Sequence, residues 1–154
     1  MRTNEQVRER TITVRLTDDD CRTLAEKCGQ YGLTVGELIE NFINDLVDGT
    51  YSNGSDERAY IQSWVDRCGF SQGPESLLGY LLSWGYDPGD YMRCLDDIEY
   101  LSKHPEIAGQ ELSDLQEELR EMEEGWKPGA GQEISAERES IRLWLREKEA
   151  LTGE

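Results

Sequence analysis

The sequence contains no apolar run approaching 18 residues and no basic stretch followed by a short apolar core. The first pattern marks a transmembrane helix and the second a secretory signal peptide. We therefore expect no membrane association and a cytoplasmic location. The cysteines form no C-x-x-C pair and fall on apolar helical stripes, which predicts buried free thiols in a reducing compartment. They are Cys21, Cys28, Cys68 and Cys94.

The residue types of catalytic and metal sites are also scarce. The one histidine, His104, directly precedes Pro105 at an expected helix end, where the helix dipole favours it. No Cys/His pairs have zinc-ligand spacing, and there is no phosphate-binding glycine loop, dinucleotide fingerprint or nucleophile elbow. The aspartates at 18–20 and at 87 and 90 lie at expected helix starts and match no calcium loop. We expect no enzymatic activity, no metal site and no cofactor.

Positive charge is in short supply and unevenly spread. The chain holds 16 basic and 33 acidic residues, a formal net charge of −17. Residues 1–15 carry a net of +2, residues 1–50 a net of −4 and residues 51–154 a net of −13. A nucleic-acid-binding protein usually shows the opposite balance. A basic N-terminal arm can still meet DNA, whereas the acidic remainder needs its own explanation.

One short segment near the N-terminus alternates polar and apolar side chains, the pattern of a strand with one buried face. The inward set is Ile12, Val14 and Leu16, and the outward set is Thr11, Thr13 and Arg15. A lone strand cannot satisfy its backbone hydrogen-bonding groups, and no second strand of similar quality is nearby. We therefore expect a second copy of the chain to pair with it in a two-stranded antiparallel ribbon.

Two helices are predicted directly after this strand. Thr17 followed by three aspartates is a helix N-cap, Gly32 ends the first helix, and Thr34 with Glu37 forms a capping box for the second. The apolar stripe of the second helix is too wide for a 50-residue unit to bury alone, which predicts an obligate homodimer. The expected dimer core consists of Ile12, Val14, Leu16, Leu38, Phe42 and Leu46.

This strand-helix-helix pattern resembles the ribbon-helix-helix family of dimeric DNA-binding proteins, over about the first third of the chain. The resemblance implies that Thr11, Thr13 and Arg15 contact bases in the major groove. It also implies phosphate contacts from the start of the second helix, to which we add the arginines of the arm. The phosphate set is Arg8, Arg10, Thr34, Val35 and Gly36. Gly36 departs from the family, in which a small hydroxyl residue is common there. The alternative is that Arg15 is a solvated charge and Thr34 only a cap.

The rest of the chain is predicted to be helical, so the fold class is mostly α. A turn-rich stretch at 48–55 separates a ribbon-helix-helix module, residues 1–49, from an acidic helical region, residues 55–154. We expect three short helices in a bundle, followed by a helical hairpin with narrow apolar seams. One helix of this hairpin presents an acidic surface, for which the alternative is an ordinary solvated face. The surface comprises Glu111, Asp114, Glu117, Glu118, Glu121 and Glu124.

Two functional classes follow from these features. The first is a homodimeric DNA-binding transcription regulator of a bacterial mobile element, with an acidic region that binds a protein. The second is an acidic inhibitor that occupies the basic channel of a nucleic-acid-handling nuclease, in the manner of anti-CRISPR or anti-restriction proteins. Exposed aromatics such as Trp126 or Tyr100 suit this second role. A third possibility is an antitoxin, which requires a neighbouring toxin gene.

Overall fold

The computed structural model describes residues 7–70 and 72–153, and these residues form helices and loops with no strand. The expectation of a mostly α fold is therefore confirmed. None of the described helices is long and apolar enough to cross a membrane. The chain divides into two compact units, residues 1–72 and 73–154. The helices are α1 (Asp18–Gln30), α2 (Val35–Leu46), α3 (Ser55–Arg67), α4 (Leu77–Ser83), α5 (Pro88–Ser102), α6 (Pro105–Glu123) and α7 (Ile134–Thr152).

The strand expected over residues 11–16 is not seen. Residues 7–17 have no regular secondary structure. A strand exists only through hydrogen bonds to a neighbouring strand, and within the described chain no segment pairs with this one. Polar and apolar side chains thus alternate in the sequence, but the backbone hydrogen bonds of a strand pair are absent from the described residues.

The helix signals that follow are confirmed. The Thr17 hydroxyl oxygen accepts a 3.1 Å hydrogen bond from the Asp20 N–H and caps α1. Gly32, with φ of 71°, turns the chain after α1 in a conformation that favours glycine. Both bonds of the second capping box are present: the Glu37 N–H donates to the Thr34 hydroxyl over 3.0 Å, and the Thr34 N–H donates to the Glu37 carboxylate over 3.1 Å.

The first unit extends beyond the boundary that the sequence predicts at 48–55, because α3 packs against α2. The Asp45 carboxylate accepts hydrogen bonds from the Asn53 N–H at 2.6 Å, the Asn53 side chain at 3.0 Å and the Ser52 hydroxyl at 3.2 Å. These hydrogen bonds, those from Asn53 first, lower the pKa of the Asp45 carboxyl group. Hydrogen bonds to Asp45 therefore hold the turn-rich stretch between α2 and α3 in place.

The second unit has a hydrophobic core of its own. It consists of Leu77, Tyr80, Leu81, Tyr91, Met92, Cys94, Met122, Trp126 and Ile141. Helix α6 packs mainly against α5, while α7 packs against α4 and α5. The arrangement differs from the expected hairpin of the last two helices, because α5 lies between them as a common neighbour. A backbone kink at Gly109, whose φ is 49°, interrupts α6 near its start.

A polar network joins three helices of this unit at the edge of the core. The Tyr91 hydroxyl on α5 donates to the Glu123 carboxylate on α6. The Arg138 guanidinium on α7 donates to the Tyr91 oxygen over 3.1 Å and to the Glu123 carboxylate over 3.0 Å. Burial, followed by the hydrogen bond to Glu123, raises the pKa of the Tyr91 phenol. Each buried polar atom of the network thus has a partner, which such networks require.

Two expectations about side-chain burial are partly wrong. Cys28 and Cys94 are buried, but Cys21 on α1 and Cys68 at the C-cap of α3 are exposed. All four cysteines are free. Tyr100 is exposed as expected, whereas Trp126 is buried in the core and donates its indole N–H to the Glu75 carbonyl over 2.8 Å.

The second unit allows a direct test of its core with two positions on one helix. Ile141 on α7 is fully buried and Leu143, two residues later, is 54% exposed. We expect Ile141→Ala to lower the free energy of unfolding by about 2–5 kcal/mol, because it leaves a cavity, and Leu143→Ala to lower it by less than about 0.5 kcal/mol. Urea unfolding followed by tryptophan fluorescence measures both. Equal destabilisation by the two variants would contradict this core.

Candidate nucleic-acid interface

The segment that precedes α1 is exposed along its described length. Every side chain of residues 7–17 is exposed. The three apolar side chains of the expected inward face are 57% (Ile12), 68% (Val14) and 53% (Leu16) exposed. The expected inward face of the segment is therefore uncovered in a single copy of the chain.

Helix α2 also leaves apolar side chains exposed. Leu38 and Leu46 are half-buried, and Phe42 is 41% exposed. Further large apolar side chains on this helix are exposed as well: Ile39, Ile43 and, at its C-cap, Val47. Among the described residues of the first unit, Cys28 is the one apolar side chain that is buried. One copy of this unit thus leaves the residues of the expected dimer core largely uncovered.

The residues expected to contact bases lie in the exposed segment. Thr11, Thr13 and Arg15 are all exposed, and so are Arg8 and Arg10. The sequence brings three positive charges within eight residues, and Thr17 then fixes the start of α1 directly after them. The threonine hydroxyls and the guanidinium of Arg15 are groups that can hydrogen-bond base edges in a major groove.

The start of α2 is a less open anion site than the sequence suggests. The Thr34 N–H is occupied by Glu37, and the Thr34 hydroxyl oxygen accepts from the Glu37 N–H. The hydroxyl hydrogen and the N–H groups of Val35 and Gly36 still have the geometry to donate, because the first N–H groups of a helix have no intrahelical acceptor. However, the Glu37 carboxylate places a negative charge beside them. The capping box and a phosphate thus compete for the same helix end.

Gly36 has room for the hydroxyl that the resemblance leads us to expect. A Cβ atom built at Gly36 would meet only the Thr34 hydroxyl oxygen, at 3.9 Å, an ordinary contact distance. The structure therefore gives no steric reason for glycine at this position. Glu37 affects anion binding at this helix end more than Gly36 does, because its carboxylate is negatively charged. The sequence predicts Glu37 only as a capping residue, although its charge is already visible there.

The acidic residues expected to form a surface on α6 are brought together by the helix. All six side chains, from Glu111 to Glu124, are exposed. Among the ion pairs of the described residues, one involves this set, that of Arg120 with Glu117. This pairing raises the pKa of the Arg120 guanidinium. Asp114 and Glu118, like Glu117 and Glu121, are four residues apart, a spacing at which like charges repel along a helix.

The described residues offer little else for chemistry. No group of three or more His, Cys, Asp or Glu side chains among them is arranged to hold a metal ion. His104 lies at the start of α6, where its ring stacks on Tyr100 with 4.3 Å between ring centroids and its Nδ1 lies 2.8 Å from the Tyr100 carbonyl. These contacts attach His104, at the N-cap of α6, to Tyr100 near the end of α5.

No family model, no curated protein and no solved structure matches this chain. The resemblance to the ribbon-helix-helix family therefore depends on the residues of the first unit alone.

The charge of Glu37 yields a prediction for DNA binding. Glu37→Gln retains an oxygen for the Thr34 N–H and removes the negative charge, so we expect DNA affinity at low salt to rise roughly two- to tenfold, since nearby charges in water repel by about 1 kcal/mol. Glu40→Gln removes the same charge from an exposed position beyond the first turn of α2 and should change affinity much less. Fluorescence anisotropy with labelled duplexes measures both. Equal effects would mean that α2 does not approach the phosphates.

Proposed function

We propose that the chain is a homodimeric DNA-binding protein of the ribbon-helix-helix type, and that its acidic second unit binds another protein. The single observation that carries the proposal is the uncovered apolar surface of the first unit, in which Cys28 is the one buried apolar side chain among the described residues. A unit with so little core needs a partner in order to fold. A second copy supplies that core when the segments that contain Ile12, Val14 and Leu16 pair with each other.

In such a dimer, pairing turns the alternating side chains into two faces. The apolar set enters the shared core, while Thr11, Thr13 and Arg15 lie together on the outer face of the ribbon. The two copies of the outer set are related by a twofold axis, which suits a palindromic site in DNA. The confirmed caps at Thr17 and Thr34 support the proposal, because they place two helices directly after the segment, as this architecture requires.

The charge balance limits the affinity of this binding. Residues 1–15 carry a net of +2, whereas the whole chain carries −17. Few phosphates are neutralised by such an arm, so fewer counterions are released and the salt dependence reflects those few contacts. Specificity must then come from the outer face of the ribbon, and DNA binding should be strong only at a cognate site and at low salt.

Arginine substitutions in the first unit test the proposal. We expect Arg15→Ala to weaken binding to a cognate duplex by about 1–3 kcal/mol and to relax its sequence preference, because a bidentate contact to guanine is lost. Arg22→Ala is the matched control, since Arg22 is exposed on α1 and pairs with Asp19. Selection of duplexes from a random library, followed by anisotropy titrations, provides the site and the affinities. Failure of the wild-type dimer to retain any duplex at low salt would refute DNA binding.

A second candidate function is supported by the acidic surface of α6. Five exposed acids lie on α6 and the sixth, Glu124, is its C-cap, and one ion pair among the described residues involves this set. The second unit carries eight basic and 20 acidic residues in total. Like charges four residues apart on a helix repel at a cost of about 0.2–0.5 kcal/mol per pair, and a partner of opposite charge relieves this repulsion. A basic nucleic-acid channel, such as that of a CRISPR nuclease, is a partner of complementary charge.

Charge reversal separates this candidate from the first. We expect the combined reversal of Glu117, Glu118, Glu121 and Glu124 to Lys to abolish inhibition of such a nuclease, since attraction to the channel becomes repulsion. The control reverses four exposed acids of the same unit, Glu133, Glu139, Glu147 and Glu149, and changes the net charge equally. A nuclease cleavage assay measures both, and equal loss would indicate net charge rather than this surface. DNA binding by the dimer should survive the α6 reversal.

A further inference from the structure

Three aromatic side chains of the first unit form a continuous row on its surface. The ring centroids of Phe42 on α2 and Trp64 on α3 are 6.0 Å apart at an interplanar angle of 87°. Those of Trp64 and Phe70, which follows α3, are also 6.0 Å apart, at 67°. Edge-to-face contact at this distance is favourable for aromatic rings. We call these three residues the aromatic row.

The aromatic row remains open to water although its members contact one another. Phe42 is 41% exposed, Trp64 is 46% exposed and Phe70 is 71% exposed. Both phenylalanines of the chain belong to the row. Aromatic rings bury large areas when they pack, so a surface on which three adjacent rings remain partly exposed is suited to burial against a partner.

The connection between α2 and α3 holds the row in place. Asp45 on α2 binds the backbone and side chain of Asn53 just before α3, and Arg58 on α3 pairs with Asp48. The start of α3 is thus attached to the end of α2 by part-buried hydrogen bonds and by an ion pair in which Asp48 is exposed. A surface that is ordered before association loses less conformational entropy when it is buried.

The row also continues the apolar face of α2 without a break. Phe42 belongs to both, and its neighbours on that face, Ile39 and Ile43, are 44% and 39% exposed. A second copy that covers Leu38, Phe42 and Leu46 in the proposed dimer therefore meets the edge of the row at Phe42. Interfaces commonly take their largest contributions from such clustered aromatic residues.

The distribution of charge favours association through the first unit over association through the second. Residues 1–72 hold eight basic and 13 acidic residues, a net of −5, of which residues 51–72 contribute −1. In contrast, residues 73–154 carry a net of −12. Two copies that meet through the first unit therefore bring less like charge together than two copies that meet through the second.

We infer that a second copy of the chain packs on the aromatic row, so that the dimer interface extends past the ribbon and α2 to include α3 and Phe70. The inference deepens the proposed function and rests on its homodimer. The dimer is symmetric, and each row is buried by the surface of the other copy. The dimerising module is thus α1 to α3 with the segments that flank them, rather than the shorter module that the sequence predicts.

Sedimentation equilibrium of the full-length protein tests this inference with two exposed aromatic residues. Phe70→Ser removes a side chain that is 71% exposed, and Trp84→Ser removes one from the second unit that is 70% exposed. Neither change takes much packing from a single chain. We expect Phe70→Ser to raise the dimer Kd at least tenfold and Trp84→Ser to leave it within twofold. Phe70→Leu, which keeps an apolar side chain, should raise it by a smaller factor.

The outcomes separate this inference from the proposed function. A dimer Kd that is unchanged by both Phe70 variants would overturn the inference, while dimeric DNA binding could still stand. A dimer that depends on Phe70 yet retains no duplex would support the inference and remove the DNA-binding proposal. A wild-type chain that is a folded monomer at micromolar concentration would overturn both. If Phe70→Ser fails to fold, Phe70→Leu carries the test under the same criterion of a raised Kd.

Discussion

The first unit depends on one constraint, which is that apolar side chains must be removed from water for a chain to fold. The second unit satisfies this constraint within one copy, since Leu77, Tyr91 and Ile141 are essentially inaccessible. The first unit does not, and among its described residues Cys28 is the one buried apolar side chain. Burying a large apolar side chain contributes about 1.5–3 kcal/mol, so a few such burials are comparable with the net stability of a domain. The second unit buries these side chains within one copy, and in the proposed dimer the first unit buries them against a second copy.

The polar contacts of the two units have different roles. In the second unit, the Tyr91, Glu123 and Arg138 network joins α5, α6 and α7 at positions where all three partners are satisfied. In the first unit, Asp45 ties α3 to α2 and thereby shapes a surface that is still incomplete. One set of hydrogen bonds joins helices at the edge of a core, and the other joins two helices whose apolar side chains remain exposed in one copy. The sequence suggests a hinge at the Asp45–Asn53 contact because turn residues are dense there, but these hydrogen bonds tie the connection down.

Sequence reasoning succeeded where the determining contacts are local. The caps at Thr17 and Thr34 and the turn at Gly32 involve atoms within a few residues of one another, so residue type and spacing suffice. The sequence-based predictions were wrong where contacts between residues far apart in the chain determine burial and packing. Trp126 is buried because its indole reaches Glu75, 51 positions away, and α3 belongs to the first unit because Trp64 meets Phe42. The expected strand is absent from the described residues because a strand needs a neighbouring strand, and no other described segment pairs with residues 11–16. The base and phosphate contacts remain predictions, as does the acidic surface on α6.

The charges of the two units have different effects in the proposed dimer. Such a dimer contains two second units, each with a net of −12, and its proposed ribbon contains the basic residues of both arms. Repulsion between exposed charges is screened beyond about 8 Å at physiological ionic strength, so the second units oppose the dimer mainly at low salt. DNA binding has the opposite preference, because arm–phosphate attraction is strongest at low salt. The proposal therefore implies that salt acts on assembly and on DNA binding in opposite directions. In the proposed dimer, the burial of apolar surface in the first unit, which depends little on salt, supplies the stability that keeps the two copies together under conditions in which arm–phosphate attraction is strongest.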